Sequence, residues 1–324
     1  MRSRPCLGIA GAVVLLLCAW GGSAPPVFAN DLVLEHDSPA AIVDLSATFL
    51  EEARANGIDR ITVSTTDAQG AEAAVGAGQF FMTVVPIERF AELSRASDLY
   101  LVPFLMADAD DRAAIMRRES QVRSSFDTVT VEFGVRILAM IPVGYEGIAL
   151  NEVGEVAPAA FASRRVLTNG PAERGMIGAV EGLPVERGRH MAAIVAPWEI
   201  QPPADGMSDT DSYRAYFDLR HAPTVFVLVV NERDWAAMSE EEAARWNAAA
   251  DAVESQALDM LDRRHDHELA RLRAGGMEIL PADENQRMEW SAMTAGLSRA
   301  IYLGEGAQLA RAFLRAVDRS LASD

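Results

Sequence analysis

The chain has 324 residues, with 47 Asp plus Glu against 29 Lys plus Arg and a formal net charge of −18. A surface that acidic repels phosphate backbones, which sets nucleic acid aside as a partner. Its two cysteines, Cys6 and Cys18, both lie near the N-terminus, so the rest of the chain offers no thiolate metal site and no cysteine nucleophile.

Met1 to Arg4 is a short basic start, and Leu7 to Trp20 is an uncharged, mostly apolar run of 14 residues. Small residues and prolines follow, ending Val27-Phe28-Ala29. This is the pattern of a secretory signal peptide over residues 1–29, cut after Ala29. A membrane anchor wants about 20 apolar residues, and a lipid-modified Cys18 wants a small residue where Leu17 stands. Loss of Arg2 and Arg4 takes the formal charge from −18 to −20. The remaining chain is expected in the periplasm and is long enough for two domains.

Leu32-Val33-Leu34 reads as a short buried strand running into Glu35-His36-Asp37, and Ser38-Pro39 opens an apolar-periodic helix from Ala40 to Ala55. Asn56-Gly57 stops that helix, and Ile61-Thr62-Val63 is a second strand. The unit is strand, helix, strand, as in a parallel sheet covered by helices. Gly76-Ala77-Gly78 reads as a turn before a strand from Phe80 to Val85, and Ile87 to Leu93 as a short helix. Tyr100 to Leu105 is apolar throughout and meets an acidic helix start at Asp108 to Asp111. Further strands are expected at Arg136 to Pro142, Ile148 to Leu150, Arg165 to Thr168, Ala192 to Val195 and Val225 to Val230. Ser239 before Glu240-Glu241-Glu242 is a strong helix opening. Trp246, Ala249, Val253, Ala257, Met260 and Leu261 then recur at helical spacing, with no Gly or Pro before Gly275-Gly276. Roughly 35 residues at 1.5 Å each give about 50 Å, so this helix is expected to span two lobes.

Three stretches carry a resemblance. LVPFLMADADDRAAI and FGVRILAMIPVGYEGIALNE lie between Asp98 and Asn151; VAPAAFASRRVLT covers Val156 to Thr168; VLVVNERDWAAMSEEEAARWNAAA covers Val227 to Ala250. In order they resemble the extracytoplasmic solute receptors of tripartite ATP-independent periplasmic (TRAP) transporters. LRAGGMEILPADENQRMEW resembles that family's following turn, short strand and helix. The resemblance implies an α/β fold of two lobes joined by hinge strands and a long helix, closing over one small-molecule ligand. It implies lobes of residues 30–143 plus 227–270 and 144–226 plus 271–324. It also implies the membrane permease subunits of a TRAP transporter as partners, for a monomeric, periplasmic receptor.

No catalytic residue, metal site or cofactor is expected, since neither a G-x-S-x-G elbow nor a phosphate-binding loop occurs. His265-Asp266-His267-Glu268 looks metal-like, but helix positions two apart face different ways, so it reads as surface. Ligand contacts are expected at Asp37, Tyr145, Glu146, Arg165, Leu167 and Trp198. Asp37 closes the first strand, where open α/β sheets hold ligands. Tyr145 and Glu146 follow a strand and Gly144. Trp198 stacks on a ligand or caps a core. Acid-binding relatives carry arginines at the places of Glu146 and Leu167, so the pocket is atypical for a carboxylate. Arg165 lies about 6.5 to 7 Å from Leu167 on the same strand face and offers a shifted arginine. The rival reading keeps the fold but loses transport, with the chain acting as a sensor that contacts a membrane receptor.

Overall fold

The computed structural model describes residues 31–35, 40–59, 61–66, 70–90, 100–106, 109–200 and 213–302. The expected signal peptide, His36 and Asp37 lie outside the described residues. Strand β1 (Asp31–Glu35), helix α1 (Ala40–Ala55) and β2 (Thr62–Thr66) form the opening unit, and β1 pairs parallel with β2. The first sheet adds β3 (Met82–Pro86), β4 (Val135–Tyr145) and β10 (Pro223–Asn231), in the order β2-β1-β3-β10-β4. β10 is buried along its whole length because both faces of this sheet are covered. Its odd positions Val225, Val227 and Val229 face helices α2 (Ala71–Gly76), α3 (Ala109–Met116) and α4 (Gln121–Glu132). Its even positions Phe226, Leu228 and Val230 face α1 and the long helix α7 (Glu240–Ala274). Trp246 of α7 is fully buried there, stacked on Phe49 at 5.9 Å and tilted against Phe81 at 5.4 Å.

The second sheet runs β11-β9-β5-β8-β6-β7. It is built from β5 (Gly147–Leu150), β6 (Arg165–Leu167), β7 (Leu183–Val185), β8 (Ala192–Val195), β9 (Ala215–Asp218) and β11 (Glu278–Pro281). Its core lies under α5 (Pro171–Ala179) and α8 (Glu284–Tyr302), with Phe161 edge-on to Trp290 at 5.2 Å. The chain passes between the sheets at Glu146 and again at Leu219–Ala222, where the sequence reading set the breaks after 143 and 226.

Helix α7 fills both cores: Trp246, Ala249, Val253 and Ala257 sit in the first, Leu269 and Leu272 in the second. Ser239 caps it through Glu242 N, and Gly275 ends it, as the sequence indicates. Within the first core Arg123 of α4 is wholly buried and donates to Asp127 at 2.8 Å and to Glu254 of α7 at 3.2 Å. Tyr100 to Met106, apolar throughout, is a 3-10 start and a set of turns rather than a strand. An apolar run shows that a segment is buried and leaves its backbone conformation open.

Candidate functional site

Strand direction decides where polar ends gather. In the first sheet β1, β2, β3 and β4 point one way and β10 runs against β3 and β4. Their C-terminal ends therefore share an edge with the start of β10. In the second sheet β6, β7, β8, β9 and β11 end at the edge where β5 begins. The two crossings join these edges and hold each other: Glu146 N donates to Ala222 O at 2.8 Å, and His221 N to Glu146 O at 3.3 Å. Gly147 permits the tight passage, since a Cβ there would stand 2.5 Å from Phe217 O and from the Tyr216 hydroxyl. The cleft between strand C-terminal ends is where open α/β folds take ligands.

Four carboxylates stand at these ends. Glu88 lies in the 3-10 turn Ile87–Phe90 after β3, and Glu146 is itself a crossing. Glu173 is in the first turn of α5, and Glu199 ends the 3-10 turn Pro197–Glu199 after β8. Burial raises Glu88 to about 7, and burial followed by the charge of Glu88 raises Glu146 to about 8. Burial, then Glu146, Glu199 and Glu88, raises Glu173 against the opposing bond from Asn169 N. Glu199 is the most open of the four, yet partial desolvation followed by Glu146 and Glu88 raises it as well.

Polar atoms without hydrogen-bond partners accompany them. Glu88 Oε2, Thr168 Oγ1, Thr224 Oγ1, Trp198 Nε1 and His221 Nδ1 are buried and bond to nothing in the protein. Thr168 directly follows β6, Thr224 begins β10 opposite Gly144, and His221 is in the second crossing. His221 Nε2 lies 3.1 Å from Glu146 Oε2, and burial drives the ring down to about 3, so it is neutral at physiological pH. Each unpartnered buried group costs about 1–3 kcal/mol, and these stand at or next to the strand-end edges.

The residues expected from sequence divide. Glu146 is at the cleft, and Trp198 reaches from the second sheet onto the first core, 5.9 Å from Phe226. Leu167 ends β6 beside Thr168 and is half-buried. Tyr145 points elsewhere: its hydroxyl donates to Asp262 at 2.8 Å, and its ring lies under Arg112 at 5.3 Å and Arg220 at 5.6 Å. Together with Phe104 those groups line a separate cavity of about 660 Å³ beside α8. Successive strand residues face opposite ways, which parts Tyr145 from Glu146. Arg165 begins β6, at the end away from the cleft, and its exposed side chain donates to Arg189 O at 2.8 Å. It supplies no shifted arginine to the cleft in this structure. Asp37 lies outside the described residues.

His265 is a correction. It is 1% exposed, not on the surface; Tyr145 N donates to its Nδ1 at 3.2 Å and its Nε2 donates to Asp218 at 2.8 Å. Those bonds tie α7 to both crossings. Arg220 completes the tie, in the left-handed region at φ 52°, paired with Asp218 at 3.0 Å and Asp266 at 2.7 Å. Glu88, Glu173, Glu199, Thr168, His221 and Thr224 escaped the sequence reading. The available signal was position, each lying within a few residues of a strand end.

No protein-family model matches the chain, and no curated protein does. Solved structures do. A TRAP periplasmic solute-binding protein of Ochrobactrum anthropi, with a C-terminus bound in its ligand-binding pocket, matches at a TM-score of 0.76 and 13% identity, over 91% of this chain and 96% of that one. The periplasmic ectoine-binding protein of the TeaABC TRAP transporter of Halomonas elongata matches at 0.74 and 14%, over 90% and 99%. An extracytoplasmic solute receptor of Bordetella pertussis that binds pyroglutamic acid matches at 0.72 and 15%, over 88% and 98%. The chain has the two-lobed α/β fold of TRAP periplasmic solute-binding proteins.

Proposed function

We propose that this protein is a periplasmic solute receptor that closes on one small molecule and delivers it to the permease subunits of a TRAP-type transporter. The observation that carries the reading is the meeting of the two strand-end edges at paired crossings, with buried, unpartnered polar atoms on both sides. Each sheet with its helices is one lobe, Glu146 and Leu219–Ala222 are the hinges, and α7 is the third connection. The mature receptor begins after Ala29 and acts as a monomer. Its pocket departs from carboxylate-binding relatives, because Glu146 and Leu167 stand where the resemblance puts arginines and Arg165 is engaged elsewhere. An arginine fork makes two parallel bonds to a carboxylate, and neither residue can.

Native mass spectrometry of the protein taken from its own periplasm tests the reading. The expected spectrum shows a chain starting at Asn30 with one small molecule bound. A chain that retains Cys18, or that carries no solute and binds none from a metabolite extract, overturns it.

A further inference from the structure

The crossing at Glu146, the crossing at Leu219–Ala222 and helix α7 all pass between the lobes, and they are fastened together at one level. Asp262, His265 and Asp266 stand three and four positions apart on α7, so they share one face of it. At the end of β4, Tyr145 gives its backbone N–H to His265 at 3.2 Å and its hydroxyl to Asp262 at 2.8 Å. At the end of β9, Asp218 meets His265 at 2.8 Å. Arg220, in the second crossing, joins what remains. It donates to Asp218 at 3.0 Å and to Asp266 at 2.7 Å, lies 3.6 Å from Asp262, and sits over the Tyr145 ring at 5.6 Å. One guanidinium thus reaches the last residue of a first-lobe strand, the last residue of a second-lobe strand, and one turn of α7.

Arg220 takes that place in the left-handed backbone region, at φ 52°, which disfavours a residue with a Cβ. A planar fork of five donors can serve several carboxylates from different elements at once. On this flank the lobes are not packed together. The cavity of about 660 Å³ lies against the fastening, between Arg112 of α3 in the first lobe and Arg287 and Ser291 of α8 in the second. Polar bonds at the crossings, rather than apolar contact, therefore hold the lobes' separation there.

We propose, building on the receptor reading above, that Arg220 is a positioning residue for closure. It clamps both crossings to α7 at residues 262–266, makes that level the pivot about which the lobes turn, and sets their angle in the solute-free protein. It touches no solute and acts through the hinge. Without the clamp each crossing turns independently of α7, and the solute-free ensemble spreads over more angles.

The chain from Asn30 onward has no cysteine. Ala55→Cys on α1 and Glu289→Cys on α8, exposed positions one in each lobe, therefore carry a single pair of spin labels. Pulsed dipolar spectroscopy of the full mature chain, stripped of solute by unfolding and refolding, reads the distribution of distances between them. Arg220→Gln should shift or broaden that distribution by about 1–2 Å or more, the scale of interface shifts. Arg136→Gln, which removes an equally close pair with Glu232 inside the first lobe, should leave it as in the parent. An unchanged distribution in Arg220→Gln, or an equal change in Arg136→Gln, overturns the proposal. If Arg220→Gln does not fold, Asp266→Asn decides by the same outcomes, because it takes away only the α7 end of the clamp at a side chain 63% exposed. No solute enters the measurement, so its failure leaves the receptor reading standing, and a receptor reading overturned by native mass spectrometry leaves the clamp to be judged on its own.

Discussion

Glu146 shows how one residue can be visible in sequence and still change meaning in structure. The resemblance sets it in an arginine's place; only the fold reveals that it is buried, touches neutral His221, and lies near strand ends that carry three more acids. Its folded pKa, about 8, lies above the ordinary 4.5. Its contribution to stability is thus fully present below about 4.5 and is lost as pH rises toward 8, because the unfolded chain gives up its proton first. Glu88 acts in the same direction up to about 7. The ligand-free protein should therefore unfold in less urea at pH 8.5 than at pH 5.5. Glu146→Gln should recover on the order of 2 kcal/mol at the higher pH and little at the lower. Gly147→Ala, whose Cβ meets backbone at 2.5 Å, should cost about 1–3 kcal/mol by overpacking, read from the same urea curves. Position near a strand end was legible for Glu146 and Trp198. Glu88, Glu173 and Glu199 were not distinguishable from the many solvated acids of so acidic a chain, because burial of a carboxylate leaves no local mark in sequence. His265 misled for a related reason: its neighbour His267 is 81% exposed, and one helix turn holds both faces.

At the scale of elements, the sequence is read best where a single rule governs. Helix α7 has a serine cap, three acids in its first turn, an unbroken apolar period and a glycine end, and all of these agree with its bounds. α1 likewise runs from Ala40 to Ala55 as its pattern indicates. Short elements such as β7 and β9 depend on what they lie against: three or four residues carry too little period to be separated from a loop. α7 also holds the least local feature of the fold. Glu254 accepts from Arg123 and from Met140 N at 2.8 Å, fixing helix to sheet inside an apolar core. Breaking a buried pair strands a charge, so Glu254→Ala should destabilise by about 3–5 kcal/mol, whereas replacing both partners by apolar residues should cost far less. Thermal melts of the single and double variants give that comparison. Tyr145→Phe, which removes only the bond to Asp262, should cost about 0.5–1.5 kcal/mol and leave solute affinity within a few-fold, since Tyr145 faces away from the carboxylates.

For the molecule as a whole, two lobes that meet at short crossings can change their angle, provided the solute binds one arrangement better than the other. Small-angle scattering should show a smaller radius of gyration with saturating solute, and an unchanged radius would argue against closure. Fold class and the two-lobed plan were legible from the alternation of strands and helices and from the length of α7; the pairing of the crossings was not, because it joins residues some seventy positions apart. One topological detail reaches further. β10 lies between β3 and β4, so those two strands have no direct pairing and the first sheet stays in two pieces until residue 223 is present. A chain made N-terminus first would have most of its length synthesised before its first lobe could close. Closure of the first lobe is therefore a late event, set by long-range pairing. Chains truncated before Pro223 should accordingly lack a cooperative unfolding transition, while extension through Ala274 should restore one to the first lobe.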